Sequence, residues 1–406
     1  MSEKGFRDKT AIAGIGYSRS PEVPGAFTRV SGVSVLTLAV RAAKEACEDA
    51  GIDPKELDGG VCYHLANDSV PPQALLAALG CRKVNYASSL AGGGNYASFS
   101  IVQAAQAVYH GISKYCLVYR AMNGYSGVRM GQLGREAGMG MGRVGGPGQF
   151  TSIYGLAGPP SSFALQAQRY VGLYNVSSLD FANLCINSRN NATKNPRAIM
   201  QQPLTVEEHQ NSRMIVHPYH IFDCCLETDV ACAMVVTTTA QARRLKKKVV
   251  TISAGIGGGF PSTDTVDTGL IHIGPRVLKA AGIELKDIDI FEPYDNFSDN
   301  PMRLIEDMGW CRRGQAKDFI KDGQISLDGE LPILTSGGLM NEGYAHGINN
   351  ALEAVQQLRG EAEDLCPDWH HGNHTYDRSI CRQVHDPEVA LHCGVVGGSA
   401  IILRRE

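Results

Sequence analysis

Apolar, β-branched runs of strand length alternate along this chain with longer segments whose apolar positions recur at helical spacing, the pattern of strands joined by crossover helices. Thr10 to Ile15 reads as a strand, Val35 to Ala50 as an amphipathic helix and Gly60 to Tyr63 as a second strand. Ala97 to Val108 follows as a buried helix and Tyr115 to Tyr119 as another strand. The fold class is α/β.

The pattern also repeats. A helix ending in Ala50-Gly51-Ile52-Asp53-Pro54-Lys55-Glu56-Leu57-Asp58 returns as Ala281-Gly282-Ile283-Glu284-Leu285-Lys286-Asp287-Ile288-Asp289, each copy leading into a strand and each preceded by one, Thr10 to Ile15 and Val249 to Ala254. Two similar tandem halves are implied. Residues 1–122 and 163–242 form the first, 243–406 the second, with a Gly-, Met- and Pro-rich excursion over 123–162 and an insertion over 364–386. Long loops of this kind serve binding sites or lids.

Composition narrows the function classes. Lys and Arg number 38 against 41 Asp and Glu, a net charge of -3, so no broad basic surface exists for nucleic acid or anionic lipid. The one basic run, Arg243, Arg244 and Lys246 to Lys248, reads as a solvated linker between the halves. The 12 cysteines, among them Cys47, Cys116 and Cys232, sit in apolar segments without framework spacing, which fits a reduced, cytoplasmic protein. No run of about 18 apolar residues suggests a membrane span. The insertion carries His370, His371, His374 and His385, but neighbouring histidines point apart and no cysteine–histidine pair has finger spacing, so no metal site is expected.

Candidate chemistry starts at glycines. Gly92-Gly93-Gly94-Asn95 precedes one helix, and Gly337-Gly338 precedes a second, Asn349 to Leu358. Such turns admit ligand atoms to the backbone, and the N–H groups at a helix start favour a developing anion, although many glycine turns mean only close packing.

Three further stretches carry a family resemblance: His220-Ile221-Phe222-Asp223-Cys224-Cys225 with Asp229, Gln357-Leu358-Arg359-Gly360-Glu361-Ala362, and the terminal His392-Cys393-Gly394-Val395-Val396-Gly397-Gly398. Together with the two halves they make nearly the whole chain resemble the thiolase superfamily, nearest to the sterol-carrier-protein and lipid-transfer-protein type. The resemblance implies the thiolase fold, mixed five-stranded sheets and helices layered α/β/α/β/α, plus a loop domain. It also implies a homodimer formed through the strand after the nucleophile helix, here Tyr115 to Tyr119.

A thiolase needs a cysteine at a helix N-terminus and histidine or cysteine partners to move protons. At the matching positions this chain has Ala91 for the nucleophile, Tyr294-Asp295-Asn296-Phe297 for the His-Asp-Cys-Phe motif, and Gly343-Tyr344-Ala345 for the Gly-His-Pro motif. No acyl-cysteine can form at Ala91. Tyrosine hydroxyls are neutral donors near pH 7 and can hold or exchange a proton at an enolate or alkoxide.

This pattern resembles thiolase-like aldolases of steroid side-chain degradation. The resemblance implies a carbon–carbon lyase that splits a β-hydroxyacyl-CoA by retro-aldol reaction. The implied substrate is a 17-hydroxy-3-oxo-pregnene-20-carboxyl-CoA type ester, giving a 17-ketosteroid and propionyl-CoA. Coenzyme A enters only as part of substrate and product, and a small subunit with a zinc ribbon and an OB-fold is the implied partner in a heterotetramer. Catalysis is expected from Tyr294 at the hydroxyl, Tyr344 at the carbon end, and Asn296. Ala91, Gly92, Gly93, Gly94, Asn95, His392, Cys393, Gly397 and Gly398 are the candidate substrate and oxyanion contacts. Two alternatives stay open: a β-ketoacyl-CoA thiolase that recruits Cys393, and a non-catalytic acyl-CoA-binding subunit.

Overall fold

The computed structural model describes residues 5–19, 27–65, 67–127, 129, 148–156, 158–245, 247–258, 264–362 and 377–406. Half of the 123–162 excursion, together with Lys246, His370, His371 and His374, lies outside the described residues.

Strands run in chain order β1 (Thr10–Tyr17), β2 (Gly59–His64), β3 (Tyr86–Ala91), β4 (Cys116–Asn123), β5 (Met214–Val216), β6 (Tyr219–His220), β7 (Asp229–Thr238), β8 (Val250–Gly257), β9 (Ile290–Glu292), β10 (Val389–Cys393) and β11 (Ser399–Arg405). Four helices position the site: α1 (Val35–Ala50), α2 (Ala97–Tyr109), α3 (Leu270–Ala281) and α4 (Ile348–Arg359). The expected elements recur within four residues at their ends. Helix α1 starts because the Ser34 hydroxyl accepts from Thr37 N at 3.1 Å, and it stops because Gly51 takes the left-handed conformation, φ 74°. Gly282 ends α3 in the same way at φ 72°. Each stop is followed by a single tight turn closed by a capping box, Asp53 with Glu56 and Glu284 with Asp287, and then by β2 or β9. The sequence repeat is therefore one structural unit used twice.

β5 and β6 form a separate hairpin, and the other strands lie in the order β3-β2-β4-β7-β1-β8-β11-β10-β9. The first half contributes five strands. The second contributes four, and its would-be fifth is reduced to a single parallel bridge between Phe291 and Ile333, which corrects the expected pair of five-stranded sheets. The repeat explains this order, since β9, β10, β11 and β8 stand to the bridge as β2, β4, β7 and β1 stand to β3. The halves touch edge to edge only at Ala11–Thr251 and Ile12–Val250.

Packing follows layers. A central core joins α2 and α4 to strands of both halves, through Ile101, Val118, Ile290 and Val355. A second packs α1 on the far face of the first sheet, and a third packs α3 on the far face of the second. Burying apolar faces on both sides of each sheet is what the near-continuous apolar runs of β4 and β7 require.

Two expectations need correction. Tyr115 to Tyr119 cannot extend the sheet to a second copy, because β4 is hydrogen-bonded on both sides, to β2 and to β7. The open edge is β3, which pairs only with β2 and alternates half-buried with exposed positions. Ten cysteines are free thiols among the described residues, but Cys381 is disulfide-bonded, so the chain is not uniformly reduced. The basic segment is also better anchored than a linker: Lys247 pairs with Asp49 at 3.1 Å and with Glu361 at 2.6 Å.

Candidate active site

β9 delivers Glu292, Pro293 and then Tyr294 to the middle of the molecule, where the Pro293 carbonyl accepts from Asn350 Nδ2 at 2.7 Å and the Tyr294 carbonyl from Asn300 Nδ2 at 2.9 Å. Tyr344 arrives on the connection into α4, its backbone N–H donating to Thr228 Oγ1 at 3.2 Å. The two hydroxyls meet at 2.8 Å with their rings edge to face. Both side chains are buried, Tyr294 at 1% and Tyr344 at 5% exposure. Burial pushes both phenols well above their ordinary value, so each is a neutral O–H at rest. Within the pair either hydroxyl can donate to the other.

Glycines make room for this pair. A Cβ on Gly94 would lie 2.4 Å from the Tyr294 ring, and one on Gly347 would lie 2.5 Å from it. Gly92-Gly93-Gly94 is thus both a turn and a slot. Ala91 and Asn95, on either side of it, are exposed, and the Asn95 carbonyl accepts from Ser399 Oγ at 2.7 Å.

The C-terminal turn divides. A Cβ on Gly398 would lie 2.9 Å from Asn95 Oδ1, whereas one on Gly397 would meet Leu270 and Leu304, on the side of α3. Gly394 is the residue that meets the glycine slot, with its Cβ position 2.6 Å from the Gly94 carbonyl. His392 donates from Nε2 to the Gly347 carbonyl at 3.0 Å and faces Ser98 Oγ at 2.8 Å through Nδ1. Burial lowers it to about 4, so it is a neutral support behind Tyr294. Cys393 has no exposure, and burial pushes its thiol up to about 12. It lacks the electropositive, open setting of a reactive thiolate.

Asn296 lines a cavity of about 370 Å³ together with Tyr344, Phe297, Cys224, Cys225 and Leu226, with Arg29 and Arg213 toward its rim. Its Oδ1 accepts from Asn300 Nδ2 at 3.1 Å. Its amide nitrogen has no acceptor among the described residues, leaving a donor on the cavity wall. The structure thus brings Tyr294, Tyr344, Gly93, Gly94 and Asn296 to one place and sets Ala91 and Gly397 aside.

Sequence reasoning missed the supports. Asp295 accepts from Leu339 N at 3.0 Å, Met340 N at 3.1 Å and Asn350 Nδ2 at 3.0 Å, tying the Tyr294 segment to the one that carries Tyr344. Burial pushes its carboxyl up to about 7. Against an ordinary value near 3.9 in the unfolded chain, the folded protein holds this proton between about pH 4 and 7 while the unfolded chain does not. The contribution to stability is therefore full below about pH 4 and lost as the pH rises through 7, on the order of 4 kcal/mol. Unfolding free energies of Asp295→Asn and parent, measured by denaturant titration between pH 4 and 8, should show the variant with a correspondingly flatter profile. Parallel profiles would refute the assignment.

For metals, Cys185, His209 and Asp223 form a buried grouping with ligand-like spacing among the described residues. Asp223 already accepts from His209 Nε2 at 3.1 Å, Ser298 Oγ at 2.7 Å and His220 N at 2.7 Å, so the cluster acts as a structural knot.

The thiolase C-terminal domain-like family model matches residues 261–371. The chain is 36% identical over 365 residues to 17-hydroxy-3-oxo-4-pregnene-20-carboxyl-CoA lyase of Mycobacterium tuberculosis, covering 87% of this chain and 92% of the relative. It is also 36% identical to the steroid side-chain-cleaving aldolase of Thermomonospora curvata, covering 86% and 90%. Among solved structures, the Ltp2-ChsH2(DUF35) aldolase superposes with a TM-score of 0.84 at 32% identity over 98% of both chains. An acetyl-CoA acetyltransferase of Syntrophomonas wolfei, at 16% identity and a TM-score of 0.69, shares the fold alone. With a thiolase fold and two relatives aligned over nearly their whole length, this chain belongs to the thiolase-like steroid side-chain-cleaving aldolases.

Proposed function

We propose that this protein cleaves a β-hydroxyacyl-CoA by retro-aldol reaction through a relay of two neutral tyrosines. The carrying observation is the 2.8 Å contact between the hydroxyls of Tyr294 and Tyr344, which the family resemblance matches to thiolase histidines. As the substrate β-hydroxyl gives its proton to Tyr294, Tyr294 passes its own to Tyr344, and Tyr344 passes its own to the α-carbon. The O–H electrons become the ketone C=O bond, and the Cα–Cβ electrons become the thioester enolate that is protonated. No charged tyrosinate accumulates, which suits phenols whose burial disfavours ionisation. Asn296 offers its amide N–H to the same cavity.

The names of the relatives support a steroid side-chain CoA ester of the 17-hydroxy-3-oxo-pregnene-20-carboxyl-CoA type, giving a 17-ketosteroid and propionyl-CoA. The apolar cavity beside Tyr344 and the arginines at its rim fit an acyl chain with an anionic carrier. The DUF35 component of the superposed aldolase supports a small OB-fold, zinc-ribbon partner in a heterotetramer. The unpaired edge β3 supports a homodimer core. No helix among the described residues is long and apolar enough to cross a membrane.

The test incubates the protein, with and without a co-expressed zinc-ribbon subunit, with this β-hydroxyacyl-CoA and follows ketone and propionyl-CoA. Release of both at an unchanged rate in Cys393→Ser is the expected result. Burst acylation lost in Cys393→Ser would establish thiolysis instead, and no product under either condition would leave only an acyl-CoA-binding role.

A further inference from the structure

We propose that His346 is a further catalytic residue, the N–H donor that holds the thioester oxygen as it becomes an enolate oxygen. It follows Tyr344 by two positions and no motif marks it. Its backbone lies in the left-handed region, φ 57°, which costs a non-glycine residue energy and persists only where the surroundings enforce it. The enforcing contact is the Tyr63 hydroxyl, donating to the His346 carbonyl at 2.8 Å.

The ring is oriented with equal care. Arg120 donates to His346 Nδ1 from Nε at 3.2 Å and from Nη2 at 3.0 Å. Arg120 is itself fully buried and held by Asp68 at 2.5 Å and by the Ala121 carbonyl at 2.8 Å. A guanidinium has no lone pair to offer, so Nδ1 must be the acceptor and the imidazole proton must sit on Nε2. Burial and the adjacent guanidinium also hold the ring far below its ordinary value, so it stays neutral.

That Nε2–H faces the glycine slot. It lies against Gly93, where a Cβ would come within 3.0 Å, and among the described residues nothing accepts from it. The residue is only 4% exposed, and no described protein group competes for this N–H, which leaves it open to an acceptor on a ligand. The ring centroid is 5.1 Å from that of Tyr344 and 6.5 Å from that of Tyr294, which puts the donor beside the relay. A carbonyl oxygen is the chemistry that fits: it accepts one hydrogen bond, gains charge as the Cα–Cβ electrons arrive, and takes no proton from His346.

This inference rests on the retro-aldol reading, and two experiments separate their fates. In the complex with its small subunit, His346→Leu should lower kcat about 100-fold with KM within about threefold. His346→Gln keeps an acceptor for Arg120 and an N–H donor, and should recover at least about tenfold of that loss. Equal losses in Leu and Gln, or a Leu variant as fast as the parent, would overturn the proposal while leaving cleavage by the parent intact. Independently of turnover, the His346 Nε2–H resonance of 15N-histidine-labelled protein, assigned by its absence in His346→Leu, should move downfield on saturation with propionyl-CoA. An unmoved resonance overturns the proposal even if the parent cleaves substrate. A moved one sustains the contact even if the cleavage reading fails.

Discussion

Tyr344→Phe should lower retro-aldol turnover by about 100-fold or more, equivalent to roughly 2.7 kcal/mol of transition-state stabilisation. The relay passes through both hydroxyls, so deleting one interrupts proton transfer instead of weakening it. The Phe ring fills the same space, so KM for the acyl-CoA should change little. Removing the hydroxyl also strips Tyr294 of the partner 2.8 Å away, and a buried O–H left without one costs about 1–3 kcal/mol. Steady-state rates of propionyl-CoA release, with a thermal melt to show that the variant is folded, decide the matter. Turnover within twofold of the parent would exclude the relay.

Arg120→Met should be among the most destabilising single changes in the chain. Asp68 pairs with Arg120 and is itself only 7% exposed, so the variant leaves a carboxylate in the interior without its cation. Breaking a buried pair from one side costs about 3–5 kcal/mol. The double variant Arg120→Met with Asp68→Asn removes the orphaned charge and should recover part of that loss in urea unfolding. Its activity should stay low, because His346 has still lost the group that fixes its tautomer. If the single and double variants unfold at the same midpoint, the pair does not act as a charge pair.

The elements and the duplication were legible in the sequence because both depend on local signals: strand runs, helical period, and a turn written twice as Ala-Gly-Ile followed by an acid. The two tyrosines whose hydroxyls meet were singled out through motif positions. Strand order was not. Yet a clue stood in the chain, since Cys116 to Tyr119 is apolar on both faces, as a central strand is, while Tyr86 to Ala91 alternates in burial as an edge does. The second half's missing strand left no such clue, because the segment at Ile333 retains apolar character and a single bridge.

What sequence could not reach is the layer around the tyrosines. Arg120 meets His346 across 226 residues, Tyr63 meets it across 283, and Asp295 reaches Leu339 across 44. No periodicity records such encounters. They exist because two sheets bring their connecting loops to the same central layer, so polar residues that look ordinary in sequence become mutually dependent.

The seam between β1 and β8 is only two residue pairs wide, yet the reacting groups straddle the duplication. Tyr294, Tyr344 and His346 come from the second copy, while the glycine slot, Tyr63 and Arg120 come from the first. On the proposed relay neither half carries a full set: the second would supply the protons and the first the mould that holds them in place.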